Sequence, residues 1–338
     1  MGFGLSSAEA GLLRAPYPDF GQVYYLVDSD RRTIAQGWSR PDRTGPLDLI
    51  EAKRAPAGVQ YVYRTGDYAS DLLTAQAAID AQIDFRGDTL FWTPGDYTIT
   101  GTLSGDVPGA RWLGRRMGDG FGHPSAAHTN ITMGATSELL ATTAADDMEV
   151  AYLRFIPRTA LNIWTVAGTN IGGYFHHLVY DSTGVTASTA TRFMLMTGAA
   201  TDWVWEKCTQ ITDGAQGAFL ELDASALRLK ILDWHHFHMA GTQATGLLEV
   251  DGAGARGILI DNWRGMVHGT TAAVTGLVDL VDMTSALTNI TVSNGRGSVG
   301  YATATTLITE AGATAEVDLC ENRIATVLGG TGSTLYTG

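Results

Sequence analysis

Leu227-Arg-Leu-Lys-Ile-Leu-Asp-Trp-His-His-Phe237 is one of seven short β-rich segments, each followed by small polar residues and glycine. The others are Met148–Ile156, Ile171–Tyr180, Trp203–Ile211, Gly257–Met266, Thr288–Gly297 and Ala315–Ile324. Aligned on Leu153, Phe175, Trp205, Ile231, Ile260, Val292 and Leu319, they recur at intervals of 22, 30, 26, 29, 32 and 27 residues. Periods between about 20 and 50 residues mark stacked repeat architectures. Strands and glycine turns with no helix between them select a β-solenoid over leucine-rich or helical repeats. A single turn cannot bury its inner side chains. Stacking turns about 4.8 Å apart pairs their backbones and joins their interiors into one core. The unequal intervals place loops of different length outside the turns. A β-sandwich would instead space its strands every ~8–12 residues.

Composition agrees with this reading. The chain has 338 residues, 45 % of them apolar, with 41 glycines and 9 prolines. Length and apolar content suffice for a large core and exclude disorder. Basic residues number 22 against 35 acidic ones, a formal charge of −13. That balance argues against a nucleic-acid groove, which needs a dense basic stripe. No apolar run approaches the length of a membrane span. Cys208 and Cys320 lie far apart and fit neither a disulfide framework nor a zinc pattern, so both read as small core residues. No cofactor is implied.

Ahead of the repeats the texture differs. Residues 1–16 read as an apolar arm. Residues 17–66 read as a small antiparallel β module, with strands Gly21–Val27, Thr33–Ser39 and Val59–Arg64. From residue 67 a solenoid is expected to run to 327, leaving 328–338 as a tail. Apolar spacing over Leu72, Ile79 and Ile83, with Ala75 or Gln76 between, predicts an amphipathic helix over 71–83 capped by Ser70. The strand Asp88-Thr-Leu-Phe-Trp, a Pro94-Gly95 turn and Asp96-Tyr97-Thr-Ile follow it.

The helix "LLTAQAAIDA", the strand "DTLFWTPGDYTI" and "ARWLGRR" together resemble the N-terminal cap of the pectate-lyase-like right-handed parallel β-helix superfamily. Pro94, Gly95 and Tyr97 carry its PGxY turn. The resemblance implies an all-β right-handed parallel β-helix whose helix plugs the open end. That superfamily includes polysaccharide lyases, glycoside hydrolases and the tailspikes and fibres of tailed phages, so fold leaves function open. An arm and a β module before the cap resemble the order in phage tailspikes. The resemblance therefore implies a virion protein, on the tail rather than the capsid. Residues 1–66 would attach it to other virion proteins, and a homotrimeric solenoid would meet host surface polysaccharide. The competing classes are a head-decoration protein on the same fold and a free lyase or hydrolase.

Candidate sites follow from the register. Lys207, Asp233, Asn262 and Asn294 share one column; Thr209, His235, Arg264, Arg296 and Arg323 share the next but one. Asn262 and Asn294 suit an amide ladder at a solenoid corner. Arg264, Arg296 and Arg323 form a ridge of like charge, expected to meet Asp261, Glu321 or a neighbouring subunit's carboxylates. Asp233 with Glu206 or Asp261 is the best carboxylate pair for glycoside cleavage, which needs two carboxyls ~5–9.5 Å apart. Trp234, His235 and Trp263 near one ridge are candidates for stacking on sugars. His236 and His238 share a strand face, but no metal-ligand set is specified.

Overall fold

The computed structural model describes residues 23–27, 33–38, 58–62, 68–82, 87–115, 129–133, 140–142, 146–157, 162–185, 192–223, 226–250, 256–268, 272–280, 288–297, 308–310, 315–320, 328–329 and 334–337. The arm 1–16, Arg323 and Glu321 lie outside them. Three parallel sheets of twelve, eight and nine strands make a β-solenoid. Between its two ends, each described turn of chain contributes a strand to sheet 1, then sheet 2, then sheet 3. One such rung is Lys230–Leu232, His235–His238 and Thr242–Val250. The next is Ile258–Asp261, Arg264–Val267 and Ala273–Leu280. An antiparallel hairpin of Val23–Val27 and Thr33–Trp38 forms a separate two-stranded sheet.

The register follows the repeat in all but one place. Phe175, Trp205, Ile231, Ile260, Val292 and Leu319 pair in succession along sheet 1. Phe175 pairs upstream with Val150, not Leu153. Leu153 belongs to a second inward column with Leu178, Cys208, Trp234 and Trp263, all essentially buried. That column sits just past the corner between sheets 1 and 2. The corner residues are Tyr152, His177, Lys207, Asp233, Asn262 and Asn294, every one left-handed, with φ between 51° and 61°. Each turns the chain through a bend within one residue, so inward residues stand two before it and one after it. Asparagine and aspartate tolerate this conformation best among residues with a Cβ. Backbone bonds knit the ladder: Lys207 N donates to Leu232 O, Asp233 N to Asp261 O and Asn262 N to Ser293 O.

Helix α1 spans Tyr68–Asp80, so it starts before Ser70, which is not its cap, and ends before Ile83. Ala75 and Ile79 are buried. The helix packs on Val59–Val62, Gly95–Ile99 and Leu103–Ser104, one strand from each sheet. This closes the N-terminal end of the core. Gln76 also clasps the edge of sheet 3. Its amide nitrogen donates to Ser104 O (3.0 Å) and its Oε1 accepts from Ser104 N (2.9 Å).

Two sequence boundaries move. Val59–Val62 pairs in parallel with Thr89–Trp92, so it is a strand of sheet 1 and not part of the antiparallel module. Val59 and Tyr61 lie on its exposed face. Thr334–Thr337 pairs in parallel with Ala315–Cys320, so the solenoid continues into the expected tail. The PGxY turn is a sheet 1 to sheet 2 corner. Gly95 has φ 150°, a region that favours glycine. Tyr97 is buried edge-on against Trp92, and its hydroxyl lies 2.9 Å from both Val62 O and Thr93 O.

Candidate functional site

The outward residues of sheet 1 gather the described side chains richest in chemistry. Arg111, Glu149 and Tyr174 are register partners on successive strands. His176 and Glu206 are partners one column on. Strand alternation puts Tyr174 and His176 outward and Phe175 inward. Tyr152 and His177, in the corner ladder, complete the cluster. The Tyr174 and His176 rings stack at 4.3 Å and 24°. Tyr152 lies 5.1 Å from His177 and edge-on to His176 at 5.4 Å.

Two proton-sharing chains run through it. Arg111 Nε donates to Glu149 at 2.5 Å. His176 Nε2 lies 3.1 Å from the other Glu149 oxygen, and its Nδ1 lies 2.9 Å from His177 Nδ1. In the second chain, the Tyr174 hydroxyl donates to Glu206 at 2.6 Å, and Lys207 Nζ lies 3.1 Å from the same carboxylate. Burial alone would raise the pKa of Glu149, but Arg111 and His176 outweigh it and hold it below the ordinary range. Tyr174 and Lys207 hold Glu206 low against a smaller burial effect. Burial, then Glu206, keeps the Tyr174 phenol protonated. Both carboxylates are therefore ionised near neutrality, and the phenol is a donor. A glycosidic oxygen needs a protonated carboxyl as its acid, and neither Glu149 nor Glu206 supplies one. What the patch does present is a ring face flanked by fixed acceptors and donors, a combination suited to holding polar ring compounds.

Of the expected residues, Glu206 and Lys207 join this patch and the others fall elsewhere. Asp261 and Glu206 share a column two rungs apart, with Leu232 between them. Asp233 lies in the adjacent corner column. Asp233 accepts from Asn262 Nδ2. Asp261 accepts from Ser293 Oγ (2.6 Å) and Asn294 Nδ2 (2.8 Å). The Ser293 bond leads in lowering its pKa, with Asn294 adding to it against burial. These carboxylates are engaged along the ladder. Trp234 and Trp263 are fully buried and offer no face to a sugar. Each directly follows a corner residue, in the inward column of Leu153. His235 alone of that trio stays partly accessible. Arg264 and Arg296 are register partners on sheet 2, exposed as the ridge requires.

His236 and His238 do share a face, and it points inward. Both are buried beside Thr212, whose Oγ1 lies 2.8 Å from His236 Nε2, 2.9 Å from His238 Nδ1 and 3.1 Å from Gln243 Oε1. Gln243 Nε2 in turn donates to Gly217 O and Thr245 O. Among the described residues, no group of three or more His, Cys, Asp or Glu is placed to hold a metal ion. Burial pushes the Cys208 thiol up to about 12, so it is an inert core group.

No sequence motif singles out Arg111, Glu149, Tyr152 or Tyr174. Their signal was the outward parity of sheet 1, readable once Val150 replaces Leu153 in the alignment.

No protein-family model matches the chain, and no curated protein matches it. Among solved structures, it is similar to ORF18 of Geobacillus virus E2 at 11 % identity, with 94 % of this chain and 73 % of that one covered and a TM-score of 0.35. It is also similar to the A-modules of two Azotobacter vinelandii mannuronan C-5 epimerases. For AlgE6 the identity is 12 %, the coverage 83 % and 96 %, and the TM-score 0.24. For AlgE4 the values are 15 %, 85 % and 99 %, and 0.21. Likenesses this distant carry no argument about activity or partners.

Proposed function

We propose that this chain is a structural virion protein of a tailed bacteriophage, a β-helical spike or fibre. Its N-terminal region attaches it to other virion proteins. Its solenoid projects as a homotrimer and binds host surface glycan without cleaving it. The order of hairpin, cap helix and solenoid supports attachment at one end and projection at the other. The single observation that supports binding over hydrolysis is the geometry of the sheet 1 patch, a stacked ring pair beside two carboxylates that are each engaged by neighbouring donors. Glu149 and Glu206 are held ionised by Arg111, His176, Tyr174 and Lys207, while Tyr174 and His176 stack beside them.

Two experiments test this reading. Subunit-resolved imaging of virions carrying the protein is expected to place it on the tail; copies on the capsid lattice would refute that. Purified protein incubated with host polysaccharide is expected to bind it and release neither new reducing ends nor unsaturated sugars. Tyr174→Ala is expected to weaken binding at least tenfold. Turnover of the glycan, or unchanged binding in that variant, would overturn the proposal for the patch.

A further inference from the structure

Two charged columns run up the solenoid on different faces. On the outer face of sheet 2, His235, Arg264 and Arg296 are partners on three consecutive rungs. Met266, two residues past Arg264 on the same face, is 55 % exposed. On the outer face of sheet 3, Glu221, Glu249 and Asp279 are also partners on three consecutive rungs. Arg192 pairs with Glu221 and reaches Glu249 at 3.8 Å. Higher up, that compensation stops. Among the described residues Asp279 has no cation partner, and Arg264 and Arg296 have no carboxylate partner. Burial moreover lifts the Asp279 carboxyl above its ordinary range, with Thr245 only partly offsetting it.

The heights of these columns match. One turn of chain carries Arg264 on sheet 2 and Asp279 on sheet 3; the turn before it carries His235 and Glu249. Two copies standing side by side, parallel and level, with sheet 2 of one against sheet 3 of the next, would set Arg264 opposite Asp279. The same placement sets His235 opposite Glu249. Such a contact uses a different surface on each partner, so repeating it about an axis parallel to the solenoid closes a ring. Like charges stacked at the rung spacing of about 4.8 Å repel within a chain. Opposed columns cancel that repulsion on both faces at once. Ring closure sets the axial register as level: a slip of one rung would also set Arg296 opposite Asp279 and Arg264 opposite Glu249, but it would climb at every contact and leave the ring open.

We infer that the Arg264–Arg296 face of sheet 2 docks on the Glu249–Asp279 face of sheet 3 of a second copy of this chain, level with it. Closure at three rests on the homotrimer of the proposed function; the choice of faces does not.

The test uses the full chain. Native mass spectrometry of the wild type is expected to give three times the 35.9 kDa chain mass. Arg264→Glu/Arg296→Glu and Glu249→Arg/Asp279→Arg are each expected to give monomer. Arg264→Asp combined with Asp279→Arg in one chain is expected to recover the trimer. A trimer that survives both reversals overturns the chosen faces and leaves the homotrimer standing; a monomeric wild type overturns both. Should the reversals fail to fold, judged by circular dichroism, Arg264→Cys/Asp279→Cys decides the faces. The two positions lie on different sheets, so oxidation is expected to give covalent dimers and trimers on a non-reducing gel, absent from either single variant. No ladder in the double variant would refute the contact.

Discussion

Replacing His236 by glutamine should make the fold less sensitive to mild acid. His236 is fully buried, and Thr212 Oγ1 at 2.8 Å is its neutral hydrogen-bond partner. Burial first, and the charge on His238 second, hold its pKa well below 6.5. An unfolded imidazole titrates near 6.5. Below that pH the unfolded chain binds a proton that folded His236 refuses, so stability falls as pH falls. The loss is about 1.4 kcal/mol per pH unit, for as long as the folded ring stays neutral. His235 and His238 are also lowered, by burial first, and add to the same slope. Glu149 and Glu206 act at lower pH. Their depressed pKa values stabilise the fold above the ordinary carboxylate range and lose that effect as pH drops through it. The window from pH 6.5 to 5.5 lies above the range of Glu149 and Glu206, and carboxyls raised by burial, such as Asp279, are common to both chains and cancel in the comparison. Glutamine keeps a donor for Thr212 but cannot titrate. Thermal unfolding should show the wild type losing stability with acid faster than the variant by about 1 kcal/mol over that unit, roughly 2 °C for a chain of this size. Parallel profiles would refute the reasoning, because they would mean that the buried ring titrates alike in both states.

Other perturbations read other parts of the fold. Gly198→Ala would place a Cβ 1.7 Å from the carbonyl oxygen of Gly168 on the preceding rung. It should cost about 3 kcal/mol or more, and an unchanged melting temperature would contradict that nesting. Asn262→Ala forces alanine into a left-handed corner and removes the bond to Asp233, costing about 1–2 kcal/mol. Asn262→Gly should recover most of this in the same melting assay, and equal losses would discount the corner conformation. Tyr97→Phe should cost only about 1 kcal/mol, since Thr93 N and Oγ1 still serve Val62 O. A loss several times larger would mean that the hydroxyl holds the corner alone.

The stacking was legible because an apolar residue must enter the core at each turn, and Phe175, Trp205, Ile231, Ile260, Val292 and Leu319 announce it. The first aligned residue failed for a physical reason. A corner places inward residues on both its sides, so Val150 and Leu153 are equally apolar and three residues apart. Where the corner residue is Asn262 or Asn294 the bend declares itself; at Tyr152 and His177 nothing in the residue type does. The same blindness misplaced Trp234 and Trp263, whose position after a corner sends them inward. The sheet 1 patch was harder still. Arg111, Glu149, Tyr174 and Glu206 are far apart in the chain and meet only through parallel pairing, which a slip of one residue conceals. The start of the solenoid was hidden likewise, because Val59–Val62 looks like a hairpin strand until its parallel partner 30 residues on is known.

The buried tryptophans make the core an optical device. Trp92 and Trp112 lie 6.3 Å apart, Trp112 and Trp164 5.7 Å, and Trp203 and Trp205 5.8 Å. Indoles this close share excitation, so light absorbed by one ring is re-emitted by another in a different orientation. Fluorescence from the folded chain should be depolarised although the rings themselves are fixed. Surface quenchers have no path to these chromophores, and loosening one rung should change emission contributed by its neighbours. The spectrum thus reports whether the stack is continuous from end to end.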